Sequence, residues 1–257
     1  MGMFETKVAL VTGGGAGIGR ESALAFAREG AKVVVVDWSR EGGEQTVALI
    51  EADGGEALFL SADVSRDDQV KAMVLGAVQA YGRLDFAFNN AGLTLREAAD
   101  LADYSEEEWD RLMAVNLKGV WLCMKHEIPT MLAQGSGVIV NTASTLGLKA
   151  EKKLSIYTAA KHGVVGLTKS AAVEYGGRGL RINCVCPGIV VTQMTEEFWA
   201  TLPAEAMAAQ LQTIPAGRLG TPKDVAGPLM WLFSEASAYI NGHTLVMDGG
   251  QLVHSGS

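Results

Sequence analysis

Cysteine is scarce in this chain: there are three in 257 residues, an odd number. Cys123 and Cys184 stand in apolar surroundings, one residue separates Cys184 from Cys186, and no second Cys/His pair completes a zinc site. The three read as buried thiols in a reducing compartment, with no disulfide framework and no metal. Long apolar runs are also missing. No uncharged stretch approaches the roughly 20 residues that span a bilayer, and the opening Met1-Gly-Met-Phe-Glu-Thr-Lys7 lacks the apolar core of a signal peptide. A cytoplasmic protein with no membrane partner is expected. Basic runs are absent too, and a net charge of −8 with a pI near 5.1 argues against a nucleic-acid partner. What is abundant is apolar: 48% of residues are hydrophobic, enough for one large core in a single domain spanning 1–257.

The order of the chain is strand then helix, repeated. Val8-Ala-Leu-Val11 suits a buried parallel strand and runs into Thr12-Gly-Gly-Gly-Ala-Gly-Ile-Gly19, then a helical pattern from Arg20 to Gly30. Strand, glycine loop and helix form the dinucleotide-binding arrangement. Glycines let the backbone approach a pyrophosphate, and the helix N-terminus offers unpaired N–H groups. Gly13, Gly17, Ile18 and Gly19 are the candidate cradle. The next strand, Lys32–Asp37, ends in an acid placed to bond the adenosine ribose hydroxyls, which favours NAD. Arg40 is the complication, since it is able to fold onto a 2′-phosphate, and NADP stays as the minority alternative.

Further strands are expected at Ala57–Leu60, Leu84–Phe88, Val138–Asn141, Arg181–Cys186 and Thr244–Met247, and helices over Arg40–Asp53, Asp67–Gly82, Trp109 to about Leu132, Ser155–Tyr175 and Asp224–Phe233. Asp63 and Val64 follow the third strand as adenine neighbours, with an N-cap or turn role as the structural alternative for Asp63. Asn89-Asn90-Ala91-Gly92 closes the fourth. Asn116 is the odd polar residue in an apolar helix and needs partners for its amide. Leu93–Glu108 reads as a polar, acidic connection, and Leu146–Lys153, with its lysines, as a solvated one. Gln193–Pro215, rich in Met, Phe, Trp and Leu, reads as a lid over a substrate pocket; two short helices packed on the core are the alternative. Met194, Phe198 and Trp199 are its candidate substrate contacts, with Leu146 and Ser144.

Tyr157-Thr-Ala-Ala-Lys161 carries the chemistry, with Ser144 thirteen residues upstream. On a helix Tyr157 and Lys161 lie one turn apart on one face. A free phenol titrates near pH 10, and a neighbouring ammonium favours phenolate, so the pair is expected to bring Tyr157 toward the range of a useful base.

Taken together, Thr12-Gly-x-x-x-Gly-x-Gly19, Asp63, Asn89-Asn-Ala-Gly92, Asn116, Ser144, Tyr157-x-x-x-Lys161 and Pro187-Gly188 with Thr192 resemble the single-domain branch of the short-chain dehydrogenase/reductase family over essentially the whole chain. The resemblance implies an α/β fold of Rossmann type, a doubly wound parallel sheet of about seven strands with helices on both faces. It implies an NAD-dependent oxidoreductase acting on a secondary alcohol or ketone. Tyr157 would be the general acid/base, Ser144 the partner of the substrate oxygen, and Lys161 the tuner of Tyr157 and binder of the nicotinamide ribose. Asn116 would hold a relay water. Asn90, Ala91, Gly92, Pro187, Gly188, Ile189 and Thr192 would line the cofactor, with Ile189 and Thr192 at the carboxamide. It also implies a homotetramer built on the two long helices, both too apolar to face water. The alternatives are a sugar or polyol substrate and, from another class, a non-catalytic NAD sensor or scaffold. A sugar-nucleotide epimerase is disfavoured by the loop spacing and the lack of an added substrate domain.

Overall fold

The computed structural model describes residues 2–192, 195–196 and 203–254. Seven strands, β1 (Val8–Thr12), β2 (Lys32–Asp37), β3 (Ala57–Ser61), β4 (Phe86–Asn89), β5 (Gly137–Thr142), β6 (Leu180–Pro187) and β7 (Thr244–Met247), form one sheet in the order β3-β2-β1-β4-β5-β6-β7. Every neighbouring pair is parallel. Parallel neighbours need crossovers, and helices supply them: α1 (Gly17–Arg28), α2 (Arg40–Ala52), α3 (Asp67–Tyr81), α4 (Glu106–Met113), α5 (Val120–Gln134), α6 (Ser155–Tyr175), α7 (Ala204–Gln212) and α8 (Pro222–Phe233).

β1 shows why Val8 to Val11 are apolar without a break. Successive side chains point to opposite faces. Val8 and Leu10 join the layer beneath α3, α5 and α6, while Ala9 and Val11 join the layer beneath α1 and α8. Both faces are covered, so no polar residue alternates in, and each buried Val or Leu contributes about 1.5–3 kcal/mol. The three cysteines sit in this interior as free thiols. No helix among the described residues is long and apolar enough to cross a membrane.

The order of the sheet places the site. β2 and β3 build outward on one side of β1, and β4 to β7 on the other, so the topology reverses between β1 and β4 and leaves a crevice at their carboxyl ends. Thr12-Gly13 and Asn89-Asn90 meet there.

Two boundaries differ from the sequence reading for a clear reason. The helix expected from Trp109 begins at Glu106, because the Ser105 hydroxyl accepts the Glu108 N–H at 3.1 Å and three glutamates in the first turn suit the positive end of the helix dipole. It also does not run plainly to α5. Ala114–Gly119 forms a π-helical turn between them, with Asn116 inside it. In the segment expected to be a lid, α7 is a short helix with no buried side chain. Met194, Phe198 and Trp199 lie outside the described residues.

Candidate active site

The glycine loop and the turn after β4 are pressed together until only hydrogen fits. Gly13 and Gly17 have φ of +63° and +53°, which other residues rarely adopt. A Cβ at Gly19 would lie 2.0 Å from the Gly13 carbonyl oxygen, and one at Gly13 would lie 2.9 Å from the Cα of Ala91. The Thr12 hydroxyl clips the two segments by accepting the N–H groups of Asn90 (3.0 Å) and Ala91 (3.1 Å), while Asn90 Nδ2 donates back to the Thr12 carbonyl at 3.2 Å. The first N–H groups of α1, on Gly17, Ile18 and Gly19, therefore face a cleft floored by bare backbone.

Asp37, at the end of β2, is buried against this loop. Its carboxylate accepts the N–H of Gly15 at 2.8 Å and of Ser39 at 2.9 Å. Arg40 is engaged elsewhere, paired with Glu44 at 2.9 Å and lying over the Phe59 ring. Asp63 is exposed and accepts the backbone and hydroxyl of Ser65 in a tight turn, and Val64 beneath it is buried against Gly119.

Ser144 follows β5, and its hydroxyl accepts the N–H of the buried Leu146 at 3.2 Å. Across from it, α6 presents Tyr157 and Lys161. The Lys161 ammonium lies 5.5 Å from the Tyr157 ring centroid and donates to the Thr142 carbonyl at 2.9 Å. Asn116 closes a clasp on Leu93, accepting its N–H at 2.7 Å and donating to its carbonyl at 2.9 Å. Gly92 lies between the Asn116 amide and Lys161: a Cβ there would be 3.4 Å from Asn116 Oδ1 and 3.9 Å from Lys161 Nζ.

The phenol does not behave as the spacing suggests. Burial pushes Tyr157 up to about 12, with the Ser144 hydroxyl opposing. Burial likewise pulls Lys161 down to about 8. Desolvation penalises phenolate and ammonium alike, and it is the largest influence on both groups.

After β6, Pro187 leads to Gly188, whose N–H bonds the Met247 carbonyl at 2.9 Å and whose Cβ position is blocked by Asp248 at 2.7 Å. The Ile189 carbonyl accepts Gly220 N–H at 2.9 Å. The chain then folds back so that Thr192 Cγ2 comes within 3.1 Å of where a Gly17 Cβ would be. Thr192 thus roofs the glycine loop. The structure gathers Gly13 to Gly19, Asp37, Asn90 to Gly92, Asn116, Ser144, Tyr157, Lys161 and Pro187 to Thr192 around one sheet edge, with Asp63 and Val64 at its flank.

Three contributors escape a reading by motif. The Thr12 hydroxyl is visible only as the first letter of the glycine motif. The Thr142 carbonyl that holds Lys161 has no side-chain signal at all. Arg20 donates to Thr46 Oγ1 at 3.0 Å, to Gln45 Oε1 at 2.8 Å and to the Gly15 carbonyl, and so locks the loop to α2; its place directly after Gly19 was the available clue.

Similarity to known proteins agrees with this geometry. Residues 13–251 match a family model described as enoyl-(acyl carrier protein) reductase. A cyclohexanol dehydrogenase of Acinetobacter is 44% identical over 96% of this chain and 95% of its own. The short-chain dehydrogenase/reductase astE of Aspergillus oryzae is 42% identical over the same shares. The crystal structure of levodione reductase superposes with a TM-score of 0.93 at 39% identity, covering 97% of this chain and 99% of that one. A structure from Beutenbergia cavernae, named for NAD(P)-dependent gluconate 5-dehydrogenase and holding NADP at low occupancy, gives 0.90 at 36% identity over 97% and 98%. With a doubly wound sheet, a glycine cradle and a Ser-Tyr-Lys set at one edge, the chain belongs to the short-chain dehydrogenase/reductase family, NAD(P)-using oxidoreductases.

Proposed function

We propose that this enzyme moves a hydride between NAD(H) and a secondary alcohol or its ketone, with Tyr157 as the general acid/base. The observation that carries this reading is the placing of the partly buried Tyr157 and the buried Lys161 beside Ser144, at the same sheet edge as the glycine cradle and Asp37. The cradle fits a dinucleotide: its floor is backbone that a single Cβ would fill, and its rim is a helix N-terminus. Gly13, Gly17, Ile18 and Gly19 hold the pyrophosphate, Asp37 the adenosine ribose, Asp63 and Val64 the adenine side, and Asn90, Ala91 and Gly92 the passage to the nicotinamide. Lys161 holds the nicotinamide ribose, and Pro187, Gly188, Ile189 and Thr192 the carboxamide end.

The cofactor, when bound, supplies or accepts the hydride. The chain's own residues handle the oxygen and its proton. Ser144 donates a hydrogen bond to the substrate oxygen, strongest where alkoxide character develops. Tyr157 Oη gives or takes the proton. Lys161, anchored on the Thr142 carbonyl, holds its amino group next to that exchange. The Asn116 side chain is occupied by Leu93, so a relay water at this position bonds the backbone of the widened turn.

NAD is favoured over NADP by Asp37. A carboxylate about 4 Å from a 2′-phosphate at an effective dielectric of 20 is repelled by roughly 4 kcal/mol before screening. Asp37→Ala is expected to narrow the ratio of kcat/KM for NAD over NADP by tenfold or more, on the order of 1.4 kcal/mol; an unchanged ratio shows that Asp37 does not read the ribose.

An alicyclic substrate is supported by the relatives named for cyclohexanol and levodione. The polyol reading is supported by the neighbour named for gluconate. Initial rates with NAD and NADP across cyclic alcohols and ketones, sterols, polyols and sugars decide between them. Activity confined to polyols and sugars overturns the alicyclic reading, and nucleotide binding without turnover on any of them overturns the enzyme.

A tetramer is supported by the outer faces of α4, α5 and α6. They enclose an open groove of about 720 Å³ lined by Met113, Leu117, Trp121, Gly163, Gly166 and Leu167, with Trp121 45% exposed. Sedimentation equilibrium is expected to give four times the chain mass, and Leu117→Glu to lower it; a monomer leaves the groove without this role.

A further inference from the structure

Glu127 lies in the middle of α5, completely buried, and none of the ion pairs among the described residues includes it. Its neighbours Lys125 and His126 turn outward to Asp67 of α3, at 2.7 and 2.9 Å. What it meets instead is a chain of neutral polar groups running through the sheet. Asn89 Nδ2, at the end of β4, donates to Glu127 Oε2 at 3.0 Å and to Asn141 Oδ1 of β5 at 3.0 Å. Asn141 Nδ2 donates to Thr168 Oγ1 on α6 at 3.0 Å and approaches Met124 Sδ at 3.3 Å.

Both hydrogens of the Asn89 amide are thereby used. Two acceptors are left over, Asn89 Oδ1 and Glu127 Oε1, buried and without a donor. Buried polar atoms are almost always paired, and two orphaned acceptors on directly bonded partners lack one hydrogen between them. A carboxylate in this place would also stand uncompensated in a dry interior. One proton on the carboxyl removes both deficits.

We propose that Glu127 is a neutral carboxylic acid in the native protein at mildly acidic pH, where a free glutamate is ionised, donating from Oε1 to Asn89 Oδ1, so that acid and amide close a two-bond ring. Glu127 is then a positioning residue. Asn89 leads directly into Asn90, which holds the glycine loop, and Asn141 ties the same network to the helix that bears Tyr157 and Lys161. Burial, opposed by the Asn89 bond, lifts the carboxyl to about 7 from its usual value of 4.5. On α5 the titratable neighbours are Lys125 and His126, both turned outward to Asp67, and the Cys123 thiol, itself pushed up by burial and by Glu127. β4, β5 and α6 contribute the neutral Asn89, Asn141 and Thr168.

The sign of the linkage follows. A folded-state value above the unfolded one gives stability that is full below about pH 4.5 and is lost as pH rises through about 7. Glu127→Gln keeps the ring, with an N–H in place of the O–H, and cannot ionise.

The test compares the full-length wild type, E127Q and E127M, and it does not depend on the substrate. The infrared difference between wild type and E127Q at about pH 5.5, between the free and the folded value, is expected to show the carbonyl stretch of a protonated carboxyl; a carboxylate band in its place overturns the proposal. The unfolding midpoint of E127Q is expected to gain on that of wild type as pH rises from about 4.5 through about 7 and then to hold a constant lead; curves parallel from about pH 5 to about pH 9 overturn it. E127M, which strands the Asn89 carbonyl, is expected to bind NADH several-fold more weakly than E127Q; equal affinities overturn the positioning role. The infrared and pH comparisons need only proteins that keep the ring.

Discussion

Tyr157→Phe is expected to lower kcat by about a hundredfold to ten-thousandfold, the range that a positioned proton carrier contributes, and to leave NADH affinity nearly unchanged. The substitution keeps the ring, partly buried in the first turn of α6 against Leu112, Ile156 and Ala160, and removes Oη alone. Lys161 keeps its anchor on Thr142, so the nucleotide contacts proposed for it survive. The pH profile carries a second expectation. With the phenol held near 12 by burial, the neutral form dominates at neutral pH. Ketone reduction needs that proton and runs level through neutrality, whereas alcohol oxidation needs the phenolate and rises with pH. Initial rates in both directions and a fluorescence titration with NADH measure all three. Near-normal turnover in the variant places the proton elsewhere.

Gly19→Ala is expected to weaken NADH binding by tenfold or more, about 1.4 kcal/mol or above, and to destabilise the fold by about 1–3 kcal/mol, the usual cost of overpacking. The added Cβ would lie 2.0 Å from the Gly13 carbonyl oxygen and 2.7 Å from Asn90 Nδ2. Neither neighbour is the loose end of a long side chain, so the loop itself must shift, and it carries the N–H groups proposed to hold the pyrophosphate. Gly227→Ala on α8 is the control, since no atom lies within 4 Å of its Cβ position; helix propensity there favours alanine by up to about 1 kcal/mol. Calorimetric titration and thermal unfolding of both variants make the comparison. Unaltered affinity in Gly19→Ala means that the cradle does not hold the nucleotide.

The sequence reading succeeds where chemistry and periodicity coincide. Val8–Val11 is apolar because both its faces are covered, and the strand's end is legible because Thr12 and the glycines follow at once. The bounds of α6 and β7 agree with the sequence reading, since each has a clean apolar pattern closed by turn residues. The start of α4 was obscured because Glu106 to Glu108 look like a solvated connection until Ser105 is seen capping them. Arg40, read as able to reach a 2′-phosphate, pairs on the surface with Glu44 and lies over Phe59, contacts that no local pattern singled out.

By itself, then, the sequence determined the parallel α/β class, the family, and the set of side chains that meet at the carboxyl edge, because each stands at a strand end or one helical turn from its partner. Tertiary structure decided what no local pattern encodes. It set the proton affinities of Tyr157 and Lys161, since desolvation depends on everything that covers them. It bent the Asn116 segment into a π-helical turn and gave its amide to Leu93. It also enclosed Glu127 with Asn89, residues 38 positions apart that only the packing of α5 on β4 brings together.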